Sequence, residues 1–159
     1  MKYLNLLSKK QWVALLTAFS VFMVLGAWGF EYIGGMAPCK LCYYQRYPHW
    51  VAGGAGVLAL AVGGQIWLYI GALGAATSGF VAAYHTGVER KWWAGPESCT
   101  SAMSLEGSTD DLFNQIMAAP IARCDEIPWE LFGLSMANYN MLMSLGAAVF
   151  WLYAASRTN

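Results

Sequence analysis

The stretch QWVALLTAFSVFMVLGAWGF, Gln11–Phe30, contains no charged side chain. A helix of about 20 apolar residues matches the thickness of the hydrocarbon core of a bilayer, so this stretch predicts a membrane span. Lys9 and Lys10 precede it, as they would in a signal peptide. However, the run is longer than the apolar region of a signal peptide, and no small-x-small cleavage site closes it. We therefore expect a retained anchor.

The rest of the chain has the same apolar character. Of its 159 residues, 58% are hydrophobic and 11% are charged, which is unlike a soluble domain. Three further apolar stretches lie at 44–62, 66–84 and 136–155, the first of them with a polar beginning. Lipid offers no partners to backbone N–H and C=O groups, so each span must be a helix. The sequence thus predicts an all-α membrane protein, a single domain with a bundle of four transmembrane helices.

Small and aromatic residues support these spans. In the apolar stretch at 66–84, small side chains recur at every fourth position, at Gly71, Ala75, Gly79 and Ala83. Such a stripe predicts a face on which another helix packs closely, although glycine and alanine are also simply frequent in spans. Tryptophans lie near predicted span ends, at Trp12, Trp28, Trp67 and Trp151. We expect their rings at the membrane interface, which amphipathic rings favour.

The connections between the spans differ in length. Gly63, Gly64 and Gln65 form only a tight turn, whereas a short loop covers 31–43 and a long loop covers 85–135. The long loop carries eight acidic and three basic residues, a net charge of −5, and nothing in the chain suggests nucleic-acid binding. Within this loop, 109–119 predicts a short helix that lies on the bilayer or packs under the loop. Lysines in the N-terminal tail favour an N-terminus inside the cell.

The four cysteines fall into two pairs. Cys39 and Cys42 lie in the short loop at C-x-x-C spacing, and Cys99 and Cys124 lie in the long loop. Because two spans separate the loops, both pairs face the same side of the membrane. A zinc site is disfavoured, since Cys99 and Cys124 stand apart from any neighbouring cysteine or histidine. We expect no metal.

Two interpretations of the cysteines remain open. Structural disulfides suit Cys99 and Cys124, where a bond could contribute about 3 kcal/mol. A bond across C-x-x-C closes almost no chain and makes chemical sense when it must open and close, as in dithiol exchange. A helix that begins near Leu41 or Cys42 would favour a thiolate there, and Arg46 adds a positive charge one turn later.

Two cationic or polar side chains lie at the same predicted depth as the cysteines. Arg46 follows the C-x-x-C pair, and His85 closes the third span at the same membrane face. Both could donate to the carbonyl of a lipid-soluble electron carrier. The alternatives are an arginine that snorkels to lipid phosphate and an ordinary interfacial histidine. His49 is a weaker candidate for the same carbonyl contact.

Four motifs together resemble one known family, the bacterial disulfide bond formation protein B (DsbB) family. They are CKLCYYQR at Cys39–Arg46, YHT at Tyr84–Thr86, ESCTS at Glu97–Ser101 and RCDEIPWELFGLSM at Arg123–Met136. The resemblance implies a multi-pass protein of the bacterial inner membrane that reoxidises a periplasmic thioredoxin-fold oxidase (DsbA-like) and passes the electrons to a quinone. Both termini would be cytoplasmic and both cysteine loops periplasmic. The quinone would be ubiquinone or menaquinone, whose carbonyls need similar hydrogen-bond donors.

The resemblance also implies roles for individual residues. The partner would attack Cys99, the loop mate Cys124 would exchange with Cys39, and Cys42 would hand electrons to the quinone. Two positions match quinone contacts of the family, Arg46 and His85. Gln45 departs from the pattern, since we expect an acidic residue there. The alternatives are a non-catalytic membrane scaffold with structural disulfides and an enzyme like vitamin K epoxide reductase.

Overall fold

The computed structural model describes residues 7–100, 108–110, 113, 117 and 122–157. Within these residues four long helices dominate: α1 (Lys9–Trp28), α2 (Lys40–Val62), α3 (Gln65–Glu89) and α4 (Met136–Ser156). Three small elements join them: a π-helical turn at Gly29–Ile33, a single α-helical turn at Glu97–Thr100, and an antiparallel pair of strands, β1 (Glu130–Leu131) and β2 (Leu134–Ser135). Most of the predicted helix at 109–119 lies outside the described residues.

Two helices begin at capping boxes that the sequence encodes. Ser8 caps α1 and exchanges hydrogen bonds with Gln11, and Ser135 caps α4 in the same way with Asn138. Each pair satisfies backbone N–H groups that the first turn of a helix leaves without partners. The caps therefore fix where these two helices start.

The helices alternate in direction. Gly63 and Gly64 have φ values of 73° and 96°, in the left-handed region that glycine adopts without strain, and they reverse the chain between α2 and α3 as predicted. Gln65 at the start of α3 donates to the Ala155 carbonyl near the end of α4. At the opposite end of the bundle, Asn138 donates to Thr86. These contacts show that α3 and α4 are antiparallel.

The stripe of small residues on α3 packs against α4, which confirms the predicted packing face. A Cβ added at Gly71 would lie 2.9 Å from the Trp151 ring, and one at Gly79 would lie 2.7 Å from Leu145. Trp151 is completely buried, so its predicted place at the membrane interface is wrong. The glycine stripe leaves a gap that the indole ring fills, and ring packing outweighs its interfacial preference.

The surface of the bundle is apolar, while small polar groups lie inside. Phe22, Leu73 and Phe80 are each at least 66% exposed. The completely buried residues include Ser20 and Ser78. A soluble protein rarely exposes a continuous apolar surface of this kind, whereas lipid-facing helices do.

Among the described residues, two helical segments are long and apolar enough to cross a membrane. They are Lys9–Ile33, which is α1 with its π-helical extension, and α3. The structure is mostly helical, as predicted, with one short pair of strands that the all-α prediction did not include, and the crossing of the membrane by all four helices stays a prediction. The long loop begins later than the predicted residue 85, because α3 continues to Glu89. The polar residues of its last turn find partners such as Ser135 and Asn138, so the helix extends beyond the apolar run.

The glycine contact on α3 gives a stability test. We expect Gly71→Ala to lower the free energy of unfolding by about 1–3 kcal/mol, because the new methyl group overlaps the Trp151 ring. Thermal unfolding in detergent measures the loss. Gly26→Ala is the matched control, since a Cβ there meets nothing within 4 Å. Equal stability of the two variants would contradict the packing described here.

Candidate active site at the start of α2

The first cysteine pair lies at the amino-terminal end of α2. Cys39 is the N-cap residue, and its sulfur accepts a hydrogen bond from the backbone N–H of Cys42 at 3.3 Å. The helix therefore begins at Lys40, one residue before the predicted start. Both cysteines are free thiols, with their sulfurs 2.9 Å apart. One turn of helix thus brings the two sulfurs into contact.

The second pair forms a disulfide beside the first. Cys99 and Cys124 are bonded and completely buried. They share one apolar cluster with Cys39, Leu41 and Val88. Both pairs therefore lie at the same end of the helical bundle, and their common side of the membrane stays a prediction. A four-thiolate zinc site is not formed, because two of the four sulfurs are in the disulfide bond.

The two free thiols differ in acidity, and both precede the predicted span at 44–62. The hydrogen bond between the two sulfurs raises the pKa of Cys39, and burial raises it further. The same hydrogen bond lowers the pKa of Cys42 against the opposing effect of burial, and the positive charge of Arg46 also lowers it. Cys42 is therefore the more acidic of the two thiols, and the thiolate is the reactive form of a cysteine.

Arg46 is held by groups that the sequence analysis did not identify. Its guanidinium forms an ion pair with Glu31 of the π-helical turn and donates to the Ala27 carbonyl at 3.4 Å. It also lies over the Tyr43 ring, 5.3 Å from the ring centre. The signal for Glu31 was a lone acidic residue at the end of an apolar run, which needs a cationic partner when it is partly buried.

His85 joins α3, α2 and the long loop. Its Nε2 lies 3.1 Å from the Cys124 carbonyl and 3.6 Å from the Cys39 sulfur. On the other side of the ring, Nδ1 lies 2.8 Å from the Gln45 side-chain nitrogen. His85 is thus directly between the two cysteine pairs, a place that its position in the sequence did not specify.

Cys39, Cys42 and His85 bring their ligand atoms within 4.8 Å of one another, as a metal site would. The contact with the Cys124 carbonyl decides against this reading, since a carbonyl can only accept. Nε2 of His85 therefore carries a proton and has no lone pair free for a metal. The arrangement fits dithiol chemistry better.

An apolar cavity of about 720 Å³ adjoins the cysteines. Its wall includes Cys39, Cys42, Arg46, His85 and Glu89. The rest of the wall is mainly apolar and comes from α1, the long loop and α4, with residues such as Phe22, Phe30, Trp129 and Met143. A volume of this size accommodates a small organic molecule. The structure therefore places both predicted donors, Arg46 and His85, around one cavity.

His49, the weaker candidate, also lines the cavity and is almost completely buried. Its Nε2 lies 3.2 Å from both the Asn140 and the Ser144 side-chain oxygens of α4. Nε2 of His49 is therefore engaged in contacts between α2 and α4. The sequence analysis also missed Glu89, a buried carboxylate that accepts a hydrogen bond from Ser135. Its signal was an acidic residue four positions after His85, within reach on the same helix face.

Comparison with known proteins agrees with the site. The sequence model of the family described as "Disulfide bond formation protein DsbB" matches residues 9–154. The chain belongs to the DsbB family. A disulfide bond formation protein B from Dechloromonas aromatica (strain RCB) is 34% identical over 121 residues, covering 72% of this chain and 73% of that protein. One from Stutzerimonas stutzeri (strain A1501) is 27% identical over 160 residues, covering 91% and 88%.

Membership of the DsbB family confirms the resemblance that the motifs indicated. It implies a disulfide-forming oxidoreductase. Together with the two membrane-capable helices, it indicates a protein of the inner membrane. The individual roles of the four cysteines, Arg46 and His85 stay proposals, since family membership assigns no residue.

In this DsbB-family chain, charged side chains fasten the long loop next to Cys124. Asp125 accepts hydrogen bonds from Arg123 at 2.9 Å and from Lys91, just after α3, at 2.6 Å. These two bonds, with Arg123 the stronger influence, lower the pKa of Asp125 from 3.8 to about 2. The ionised carboxylate therefore ties the disulfide loop to the end of α3.

The lowered pKa of Asp125 predicts a pH-dependent stability. The stabilisation is fully present above the unfolded pKa of about 4 and is lost as pH falls through about 2. We expect Asp125→Asn to unfold at a lower temperature than the unchanged chain at about pH 7, with the gap shrinking towards about pH 2. Thermal unfolding in detergent over this range measures it. Asp110→Asn, at an exposed position, is the control, and a gap that does not change with pH would refute the assignment.

Proposed function

We propose that the chain is a membrane thiol:quinone oxidoreductase that reoxidises a periplasmic, DsbA-like thioredoxin-fold protein. The observation that carries the proposal is that both cysteine pairs share one buried cluster at the wall of an apolar cavity. A dithiol in contact with a second disulfide can exchange with it, and a dithiol beside a cavity can transfer electrons to what the cavity holds. The site therefore links a protein substrate to a lipid-soluble one.

The electrons would follow the order that the family implies. A thiolate of the reduced partner attacks Cys99, and the bond between Cys99 and Cys124 breaks with the electron pair on Cys124. The partner's second thiol then displaces Cys99 and leaves the partner oxidised. In the next step the Cys124 thiolate attacks Cys39 of an oxidised Cys39–Cys42 pair and releases Cys42 as a thiolate. The Cys99 thiol then attacks Cys124, which releases Cys39 and restores the loop disulfide. Each exchange forms one S–S bond and breaks one.

The last transfer in the proposed order regenerates the first pair. Cys39 and Cys42 lose two electrons and two protons and become a disulfide again. A quinone supplies the matching half-reaction, since it takes up two electrons and two protons to become a quinol. The lowered pKa of Cys42 favours this transfer, because it makes Cys42 the thiol of the pair that more readily forms a thiolate next to the cavity.

The cavity suits a quinone head group on chemical grounds. Phe30 and Trp129 line it with ring centres 5.6 Å apart, and flat apolar walls suit a flat ring. The Arg46 guanidinium has five N–H donors and lines the cavity one helical turn after Cys42, so it is our candidate donor to a quinone carbonyl. His85 lines the same cavity and is the second candidate. Both ubiquinone and menaquinone offer carbonyls to these donors.

We further propose that all four long helices cross the inner membrane. Their lengths, from 20 to 25 residues, suffice for a span, and their outward faces are apolar. The end of the bundle with the cysteines would be periplasmic, where a thioredoxin-fold partner can reach Cys99. The opposite end, with Lys9 and the turn at Gly63–Gly64, would be cytoplasmic.

The contact between the two free thiols weighs against the scaffold alternative. A structural staple must stay bonded, whereas Cys39 and Cys42 are adjacent free thiols beside a cavity. Cys42 is also partly exposed, as a sulfur that reacts with a ligand has to be. These features favour a pair that opens and closes.

Replacement of Cys42 tests the proposed function. We expect Cys42→Ser to abolish reduction of a soluble quinone by a reduced thioredoxin-fold dithiol, because serine cannot complete a disulfide with Cys39. The loss is measured as the absorbance change of the quinone with purified protein in detergent. The unfolding temperature and an intact Cys99–Cys124 bond serve as controls for folding. Undiminished quinone reduction in this variant would refute the proposal.

Replacement of Cys124 identifies the partner. We expect Cys124→Ser to accumulate a mixed disulfide between Cys99 and a periplasmic thioredoxin-fold protein. The unpaired Cys99 thiolate attacks the disulfide of the oxidised partner, which forms the bond to Cys99 and releases the partner's other sulfur as a thiolate, and the loop mate that would release the partner again is missing. The adduct is detected by non-reducing electrophoresis and mass spectrometry, and a reductant releases it. The matched control is the double variant Cys99→Ser/Cys124→Ser. An adduct of the same size in the control would show that Cys99 is not the point of entry.

A further inference from the structure

Hydrogen bonds connect buried polar side chains of α2, α3 and α4 into one chain. Asn140 of α4 donates to the Gln45 side-chain oxygen at 2.8 Å, and Gln45 of α2 lies 2.8 Å from Nδ1 of His85 on α3. All three residues are at most 7% exposed. Ser78 and Ser144 hold Asn140 in turn, the first by accepting from its side-chain nitrogen and the second by donating to its side-chain oxygen. The last contact of this hydrogen-bond network is between His85 and the Cys124 carbonyl.

A backbone carbonyl fixes the orientation of the Gln45 amide. The side-chain nitrogen of Gln45 lies 3.1 Å from the Leu41 carbonyl oxygen, which can only accept. The NH₂ group must therefore point towards Leu41 and His85, and the amide oxygen towards Asn140. One hydrogen of the NH₂ group goes to Leu41 and the other to Nδ1 of His85, so the amide is fully satisfied.

A second carbonyl fixes the proton on His85. Nδ1 accepts from Gln45, and Nε2 faces the Cys124 carbonyl, which can only accept. A neutral imidazole carries one N–H, and here both neighbours require it on Nε2. The opposite tautomer would place two donors face to face at Nδ1 and two acceptors face to face at Nε2. The contacts at the two ring nitrogens thus require the same tautomer of His85, with its proton on Nε2.

We propose that Gln45 is a positioning residue for electron transfer between the two cysteine pairs, because it holds His85 as the Nε2–H donor that keeps the Cys124 backbone beside Cys39. This proposal depends on the proposed function, since it concerns the exchange step between the pairs. Gln45 acts through His85 and touches no sulfur in the contacts described. The task of His85 at this step is to hold the loop, in addition to facing the cavity.

The exchange step explains why this position matters. The Cys124 thiolate must approach Cys39 along the line of the Cys39–Cys42 bond, form the Cys124–Cys39 bond and release the electron pair to Cys42. Thiol exchange depends on this alignment, and a misplaced nucleophile loses much of its rate. His85 lies 3.1 Å from the Cys124 carbonyl and 3.6 Å from the Cys39 sulfur. One ring thereby contacts both reacting residues.

An acidic side chain at position 45 would change which ring nitrogen of His85 carries the proton. A carboxylate can only accept, so it would draw a proton to Nδ1 of His85. The contact with Cys124 would then survive only while His85 is doubly protonated. The other titratable or charged groups that line the cavity with His85 come from the start of α2, from α3 and α4 and from the long loop: Cys39, Cys42, Arg46, His49, Glu89, Arg123, Glu126 and Tyr139. Since these are the same in a Gln45 variant, a comparison of variants isolates position 45.

The first experiment compares two routes of electron entry. Protein-driven quinone reduction passes through both cysteine pairs, whereas dithiothreitol-driven reduction in a Cys99→Ser/Cys124→Ser background enters only at Cys39–Cys42. We expect Gln45→Met to lower the ratio of the protein-driven rate to the dithiothreitol-driven rate by about tenfold. The loss of one buried hydrogen bond has an effect of this size on a rate. Gln65→Met, which removes a side-chain hydrogen bond at the opposite end of the bundle, should change neither rate more than about twofold. Equal losses on both routes would overturn the proposal.

The second experiment uses the conservative variant Gln45→Glu and a pH profile. We expect its protein-driven rate, divided by that of the unchanged chain, to fall as pH rises from about 6 to about 9, because the variant needs a doubly protonated His85. The unchanged chain keeps its proton on Nε2 throughout, so the ratio isolates this effect. A ratio that does not vary with pH would overturn the proposal, even where Gln45→Met fails to fold.

A third measurement needs no variant at position 45. Nitrogen NMR of the full chain with ¹⁵N-labelled histidine, assigned with a His85→Asn variant, reports which ring nitrogen carries the proton. We expect a neutral His85 protonated on Nε2 at about pH 7. A proton on Nδ1 would overturn the proposal. If protein with Gln45 in place reduces no quinone on either route, the proposed function fails, while the NMR result still decides which nitrogen of His85 carries the proton.

Discussion

The hydrogen bond between His85 and the Cys124 carbonyl joins the long loop to the helical bundle. His85 lies near the end of α3, and Cys124 lies in the long loop, where Arg123 and Lys91 form ion pairs with the neighbouring Asp125. Because the contact is buried, it is stronger than a similar one in water, and its loss would leave a buried carbonyl without a partner. The proximity of the two cysteine pairs depends on it.

The same contact depends on polar groups deeper in the bundle. Gln45 orients His85, Asn140 orients Gln45, and serines of α3 and α4 hold Asn140. In a bundle whose outside is apolar, such groups have no water to replace a missing partner. A polar network of this kind is stable only when every member is satisfied. The site therefore rests on helix packing, which brings the members together.

Helix packing in turn depends on small residues. Gly71 and Gly79 let α4 approach α3 closely enough for Asn140 to reach Gln45, and the Trp151 ring fills the space that Gly71 leaves. Without apolar burial from water as a driving force inside lipid, close packing and interhelical hydrogen bonds provide most of the association energy. The glycine stripe and the polar network are thus parts of one interface.

The sequence by itself determined the helices, the tight turn, the pairing of the cysteines on one side, and the family, because apolar runs, glycine and C-x-x-C spacing are local signals. It also indicated Arg46 and His85 as neighbours of the cysteines. It did not reveal Glu31 and Glu89, the burial of Trp151, or the chain from Asn140 to Cys124. Those features join residues up to 95 positions apart, such as Gln45 and Asn140. Only the tertiary structure decided them, since hydrogen-bond partners across helices are set by how the backbones pack and not by local pattern.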